Sequence, residues 1–124
     1  MHFHSDHQLA TKRPRHKQAL GKRGEAYAAR FLRERGANII AANVLYRVGE
    51  IDLIAREADG TIVFVEVKTR AKANFGVAEA VTPQKLARLR KAAAQWLDGK
   101  PLSTVRFDVI ALLAHGQGLS LIHI

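Results

Sequence analysis

Two full charges interrupt an otherwise apolar segment of the sequence, VFVEVKTR (Val63–Arg70). Glu66 and Lys68 stand two positions apart, so in a β-strand they share one face of the sheet, about 7 Å apart. A carboxylate beside an ammonium group suits hydrolysis, because the acid can bind a metal ion while the amine holds or deprotonates a water molecule. The same spacing is also typical of a structural ion pair at the end of a strand.

A predicted hairpin brings a second carboxylate, Asp52, to this pair. The segments EIDLIARE (Glu50–Glu57) and TIVFVEVKT (Thr61–Thr69) read as strands, and Asp59-Gly60 between them is a turn signal. Positions 52 and 66 are equally distant from position 59, so a hairpin that turns there sets Asp52 opposite Glu66. A register error of one residue would move the acid to the other face of the sheet.

Two carboxylates that converge on a largely apolar sheet repel each other, and burying charge is costly unless it is compensated. Lys68 compensates for one charge. A divalent cation that prefers oxygen ligands, Mg²⁺ or Mn²⁺, would compensate for the rest, with water and phosphate completing its coordination. The residues Asp52, Glu66 and Lys68 therefore form a candidate catalytic set for phosphodiester hydrolysis.

The remaining pattern supplies the elements that must position these side chains. A helix is predicted over residues 18–35, and its apolar stripe includes Tyr27, which could stack on a base but more often would be core. A second helix is predicted over Thr82–Gly99, with Thr82 as its N-cap. Further strands are predicted over Asn38–Arg47, Ser103–Ala114 and the final LSLIHI. The order is α-β-β-β-α-β-β, an α/β chain, and its central strands are apolar enough to be covered on both faces.

Composition limits the partners of the chain. Lys and Arg number 20 against 11 Asp and Glu, a formal net charge of +9, which favours a polyanionic partner, either nucleic acid or an anionic membrane. Residues 1–17 read as a basic flexible tail and residues 18–124 as a single domain. Cysteine is absent, which excludes thiolate sites. No apolar run of about 18 residues is present, so we expect no membrane span and a cytoplasmic location.

Several motifs resemble a known family. GEIDLIA (Gly49–Ala55) followed by VFVEVKTR resembles the D…ExK core of the restriction-endonuclease-like nucleases, the PD-(D/E)xK superfamily. Together with GKRGEAYAARFLRERG, FGVAEAVTPQKLARLRKAA and RFDVIA, these motifs resemble the small bacterial YraN family, which is similar to archaeal Holliday-junction resolvases.

The resemblance implies a restriction-endonuclease-like αβββαβ core, with a mixed central sheet flanked by helices. It implies a metal site of Asp52 and Glu66, joined by Glu25 of the RGE motif, and a catalytic Lys68. The implied function is that of a Mg²⁺-dependent (or Mn²⁺-dependent) DNA endonuclease that acts on branched or structured DNA. A homodimer is a possible assembly, because cutting two strands needs two active sites. The alternative is a nuclease-like fold that binds nucleic acid without cutting it.

Contacts to nucleic acid are expected from two places beside the predicted site. Arg70 and Lys72 lie in the basic loop that follows the ExK strand, and basic loops of this kind contact phosphates. Gln84 and Lys85 lie near the position where related nucleases carry a helix residue that faces the site. In the RFDVIA motif we expect Asp108 to pair with Arg106 or another nearby base.

Overall fold

The computed structural model describes residues 15–70, 82–115 and 118–123, with the side chains of 15–20 and of 115 outside that description. The elements in chain order are α1 (Arg15–Glu34), β1 (Asn38–Tyr46), β2 (Gly49–Arg56), β3 (Ile62–Arg70), α2 (Pro83–Leu97), β4 (Val105–His115) and β5 (Gly118–His123). The strands form one sheet in the order β1-β2-β3-β4-β5, in which only β3 and β4 run parallel. The predicted α/β class and the αβββαβ order of the core, with a mixed sheet between helices, are confirmed.

The two helices cover opposite faces of the sheet, and β3 shows why its sequence is apolar on both sides. Val63, Val65 and Val67 pack in a core shared with α1. Ile62 and Phe64, which point the other way, pack in a second core shared with α2. The expectation that the sheet is covered on both faces is confirmed at this strand.

The hairpin between β2 and β3 has its predicted centre. The paired residues run from Leu53 with Val65 to Arg56 with Ile62, and every pair is equally distant from position 59. Gly60 has φ of +92°, a conformation that favours glycine, and the backbone N–H of Thr61 donates a 2.9 Å hydrogen bond to Asp59 Oδ1. The turn chemistry therefore sets the register on which the site depends.

The helix boundaries agree with the predictions to within a few residues. Thr82 is the N-cap of α2, and its Oγ1 accepts a 3.1 Å hydrogen bond from the backbone N–H of Lys85. Helix α1 begins at Arg15, three residues before its predicted start, while residues 1–14 of the predicted tail lie outside the described residues. Neither helix is long and apolar enough to cross a membrane, in the part of the chain that the structure describes.

The prediction that Tyr27 is a core residue is wrong, because its side chain is 42% exposed. Helix α1 lies on the sheet through small residues, Gly24 and Ala28, both of which are buried. At 100° per residue, Tyr27 is turned by roughly that angle from Ala28, toward solvent.

Candidate active site

Asp52 lies where the backbone pairing between β2 and β3 ends. The last paired residues are Leu53 and Val65, so the same register continued by one position sets Asp52 opposite Glu66. At this position a side-chain hydrogen bond replaces the backbone hydrogen bonds between the strands. Oδ2 of Asp52 accepts a 2.7 Å hydrogen bond from the backbone N–H of Val67. The acid is thus held against the neighbouring strand by its own carboxylate.

Strand β2 is irregular around this acid. Ile51 and Ile54 both belong to the core on the α2 side, although residues three apart in a regular strand point to opposite faces. On β1, the position that the register places opposite Asp52 is Asn43, which has φ of +52°. The strict alternation assumed from the sequence therefore breaks at Asp52, and strand irregularities of this kind are frequent next to active sites.

Four carboxylates gather at this end of the sheet. Burial raises the pKa of Asp52 to about 8, with further upward contributions from Glu50, Glu25 and Glu66, while the hydrogen bond from Val67 opposes the shift. The neighbouring acids belong to β2, α1 and β3, so three elements converge here. The structure brings together the three predicted ligands, and Glu50 is a fourth acid that the sequence pattern did not single out.

Gly24 explains how α1 delivers Glu25 to the strands. A Cβ atom at position 24 would collide with Oγ1 of Thr69 and would lie 3.2 Å from Cδ1 of Leu112. Only glycine therefore allows α1 to come this close to the end of β3 and to β4. The next residue in the helix is Glu25, so the glycine of the RGE motif has a packing reason, and the close approach that it allows brings Glu25 to the strands.

Lys68 is ion-paired with Glu66, with 3.0 Å between Nζ and Oε2. Both side chains are largely sheltered, with 24% of the lysine and 15% of the glutamate exposed. Lys85 of α2 lies beside them, and burial, followed by repulsion from Lys68, lowers its pKa. The ion pair foreseen as a structural alternative is therefore present, within a group of two lysines and several acids.

The predicted nucleic-acid contacts are placed unevenly around this group. Arg70 is near enough to Lys85 to lower its pKa by repulsion, and Nη1 of Arg70 donates a 3.3 Å hydrogen bond to the carbonyl of Thr69. Gln84 is exposed in the first turn of α2, next to Lys85. Lys72 lies outside the described residues. Arg70 and Lys85 thus border the site, whereas Gln84 is exposed beside it.

The donor set fits a hard divalent cation with few protein ligands. Within the described residues, no group of three or more His, Cys, Asp and Glu side chains is arranged to hold a metal ion. Mg²⁺ usually binds one or two carboxylates and keeps several water molecules, which is what Asp52 and Glu66 offer. A cation there would relieve the repulsion and desolvation that raise the pKa of Asp52.

A second charged cluster lies at the other end of β3, on the α1 side. Arg106 pairs with Asp108, at 2.8 Å between Nε and Oδ1, which confirms the expected pairing, and it also pairs with Glu57 at 2.7 Å. Asp108, only 4% exposed, lies 2.7 Å from Nε2 of His123. These four side chains line part of a pocket of about 690 Å³. Glu57 and His123 were missed from the sequence, because only the strand order brings them to Arg106.

The chain is similar to several bacterial proteins and, more distantly, to a solved structure. It is 50% identical to a UPF0102 protein of Corynebacterium efficiens over 97 residues, covering 78% of this chain and 80% of that protein. It is 48% identical to a UPF0102 protein of Rhodococcus jostii over 113 residues, covering 88% and 95%. The structure of Pyrococcus furiosus SfsA in complex with Ca²⁺ is 16% identical, with a TM-score of 0.38, and covers 86% of this chain and 62% of that one.

The family assignment is consistent between the model match and the relatives. The model of the family described as "Uncharacterised protein family UPF0102" matches residues 24–112, a range that runs from Gly24 of the RGE motif through RFDVIA. It includes the four acids and both lysines of the candidate site. The chain belongs to the uncharacterised protein family UPF0102, the YraN family that its motifs resemble.

Proposed function

We propose that the chain is a metal-dependent DNA endonuclease that hydrolyses phosphodiester bonds in branched or otherwise structured DNA. One observation carries the proposal: Asp52, with its pKa raised to about 8, lies among three other carboxylates and beside the ion pair of Glu66 and Lys68. A shifted acid next to a specific charge partner is typical of a functional site. A purely structural role gives no reason for acids that repel one another.

Each residue of the group has a proposed role. Asp52 and Glu66 hold Mg²⁺ or Mn²⁺, and Glu25 joins them directly or through water. When bound, the cation supplies a more acidic water molecule and a positive charge next to the scissile phosphate. Lys68, kept in place by Glu66, would hold that water as a hydrogen-bond donor while the water's proton passes to solvent, and Lys85 adds positive charge beside it.

The substrate is proposed from charge and from the residues that border the site. Arg70 and Lys85, with Lys72 and Gln84, contact phosphates of the backbone and carry no base readout. The net charge of +9 supports a polyanion held by its backbone, and the proposal includes a cytoplasmic location beside nucleic acid. Because a branched substrate needs a cut in each of two strands, we propose that two copies act together.

The decisive assay compares cleavage of four-way-junction, flap and linear duplex DNA, with Mg²⁺, with Mn²⁺ and with EDTA. We expect metal-dependent cleavage by the wild type and a loss of about 100-fold or more in Asp52→Asn and Lys68→Ala. Asp98→Asn, which removes an exposed acid at the end of α2, is the matched control and should cleave like the wild type. Absence of cleavage by the wild type, or equal cleavage by all four proteins, would contradict the proposal.

A second candidate, a nucleic-acid-binding protein without catalysis, is favoured by two observations. Lys68 already neutralises Glu66 without a metal, and within the described residues no group of three or more His, Cys, Asp and Glu side chains is arranged to hold a metal ion. Isothermal titration with Mn²⁺ separates the two functions. For a binder without catalysis, Mn²⁺ binding would be the same in the wild type and in Asp52→Asn. Its affinity for DNA would still fall steeply as the salt concentration rises.

A further inference from the structure

The outward surface of α1 is basic and carries one exposed aromatic ring. Lys22, Arg23, Arg30 and Arg33 are all exposed, and at 100° per residue they fall within about 100° of the helix circumference. Tyr27 lies at the margin of the same surface and is 42% exposed. These five side chains are called the basic face of α1. It lies opposite the face that packs on the sheet through Gly24, Ala28 and Leu32.

This face starts at the candidate active site and runs away from it. Gly24 abuts Thr69 at the end of β3, and Glu25 is near enough to raise the pKa of Asp52, so the first residues of the face are level with the acids along the helix axis. From Lys22 to Arg33 the helix rises by about 16 Å. That distance matches roughly five phosphates along one DNA strand.

The chemistry of the face favours a nucleic acid over a lipid surface. Glu34, an acid next to this face, pairs with Arg30 at 3.3 Å, so it compensates for one of the four positive charges and the face stays positive. The apolar side of α1 is buried in the core, so no apolar side remains to enter a bilayer. An exposed tyrosine between arginines is instead typical of surfaces that track a phosphate backbone and stack on an unpaired base.

We propose that the basic face of α1 binds the phosphate backbone of the DNA arm that leads into the acidic site, and that Tyr27 stacks on an unpaired base there. The inference rests on the proposed function, because it assigns a surface to the same substrate. It also names what that substrate must have, a helical arm next to at least one unpaired base.

Binding in EDTA tests the inference without any chemistry. The triple variant Lys22→Ala/Arg30→Ala/Arg33→Ala is compared with Arg56→Ala/Arg90→Ala/Lys91→Ala, which removes the same charge from exposed positions elsewhere. Fluorescence anisotropy with a four-way junction is measured across a salt series. We expect the α1 variant to lower the slope of log K against log salt by about 2 to 3, and the control to lower it by less than about 1.

The outcomes separate this inference from the proposed function. Equal losses in the two triple variants, or no loss in either, would overturn the inference even if the wild type cleaves DNA. If the wild type binds DNA through the basic face of α1 but does not cleave it, the proposed endonuclease activity is wrong and the inference about α1 still holds. If the α1 variant loses affinity for phosphatidylserine-containing vesicles and not for DNA, the face serves a membrane and the inference is wrong.

Tyr27 has its own test on two substrates. Tyr27→Ala should weaken binding to a flap with unpaired bases by about fivefold or more, while Tyr27→Phe, which keeps the ring, should bind like the wild type. On a fully paired duplex, both variants should match the wild type. A loss in Tyr27→Phe equal to that in Tyr27→Ala, or an equal loss on the paired duplex, would exclude stacking.

Discussion

Asp52 is protonated at neutral pH in the metal-free chain, because burial and three neighbouring acids raise its pKa to about 8. A cation that binds there must displace this proton, so metal affinity should increase as the pH rises toward 8. At the scale of single residues, the Asp52 carboxylate can therefore be neutralised either by a proton or by a metal ion, and the two compete.

The proton on Asp52 makes stability depend on pH in a defined direction. The folded chain holds this proton up to about pH 8, whereas the unfolded chain releases it near the ordinary pKa of 3.8. The contribution of Asp52 to stability is therefore full below about pH 4 and is lost as the pH rises through 8. Between pH 5 and 8 in EDTA, the free energy of unfolding of the wild type should fall by more than ~1.4 kcal/mol relative to Asp52→Asn.

Chemical denaturation followed by Trp96 fluorescence measures this difference. Trp96 is the single tryptophan and packs edge-to-face on Phe64, with 5.8 Å between ring centroids. Asn cannot ionise, so subtracting its profile removes the titration of every other group. Parallel profiles for the two proteins would show that Asp52 has an ordinary pKa. Addition of Mg²⁺ at pH 8 should restore stability to the wild type alone.

The placement of Asp52 and Glu66 next to the last paired residues of β2 and β3 was predictable from residues close in sequence, whereas other features of the site were not. The turn at Asp59-Gly60 sets the register, and counting outward from it reaches both acids. The exposure of Tyr27 depends on how close α1 approaches the sheet, which no helical pattern specifies. The irregularity at Asp52 likewise arises from tertiary contacts, since it breaks the alternation on which strand patterns rest.

At the scale of elements, the position of α1 depends on one glycine. Gly24→Ala adds a methyl group that collides with Oγ1 of Thr69, whose hydroxyl is buried without a hydrogen-bond partner among the described residues. We expect a loss of about 1 to 3 kcal/mol in the free energy of unfolding, from overpacking. Because Glu25 follows Gly24, the same change should weaken Mn²⁺ binding.

Gly21→Ala is the matched control in the same helix. A Cβ atom there meets no atom of the described residues within 4 Å, so the alanine should stabilise the chain by about 0.5 to 1 kcal/mol through helix propensity. The double variant Gly24→Ala/Thr69→Ala should recover part of the loss, since the colliding hydroxyl is gone. Equal effects of alanine at positions 21 and 24 would refute the close contact.

The second charged cluster joins strands rather than forming a site. The four hydrogen bonds of Arg106 to Glu57 and Asp108 bridge the end of β2 to β4, and His123 extends the network to β5. Arg106→Ala should therefore destabilise the chain by about 2 to 3 kcal/mol, because Asp108 would be left buried without its main partner.

Arg30→Ala is the comparison for this prediction. Its partner Glu34 is exposed, and exposed pairs contribute little, so the loss should stay below about 0.5 kcal/mol. Denaturation of both variants at pH 7 checks the ranking. Similar losses in the two variants would mean that the Arg106 network contributes no more than a surface pair.

The pairing of Arg106 with Asp108 was predictable from their spacing on one strand. Its pairing with Glu57, 49 positions away, could not be predicted without the strand order.

At the scale of the whole molecule, the fold gathers a cluster of acidic side chains within a strongly basic chain. The chain carries +9 overall, yet four of its 11 acids gather at one end of the sheet, and Lys68 and Lys85 lie beside them. We expect DNA affinity to fall steeply with salt and to change by less than about threefold among unrelated sequences of one branched shape. Competition assays with scrambled junction arms measure this, and a strong preference for one sequence would require a base-reading surface.

The central claim is that the acids around Asp52 form a metal centre, and anomalous diffraction from crystals soaked in Mn²⁺ tests it most directly. A peak is expected between the carboxylates of Asp52 and Glu66, at about 2.1 Å from their oxygens, and it should vanish in Asp52→Asn. No peak at this end of the sheet at saturating Mn²⁺, or a peak at Glu57 and Asp108 instead, would contradict the account.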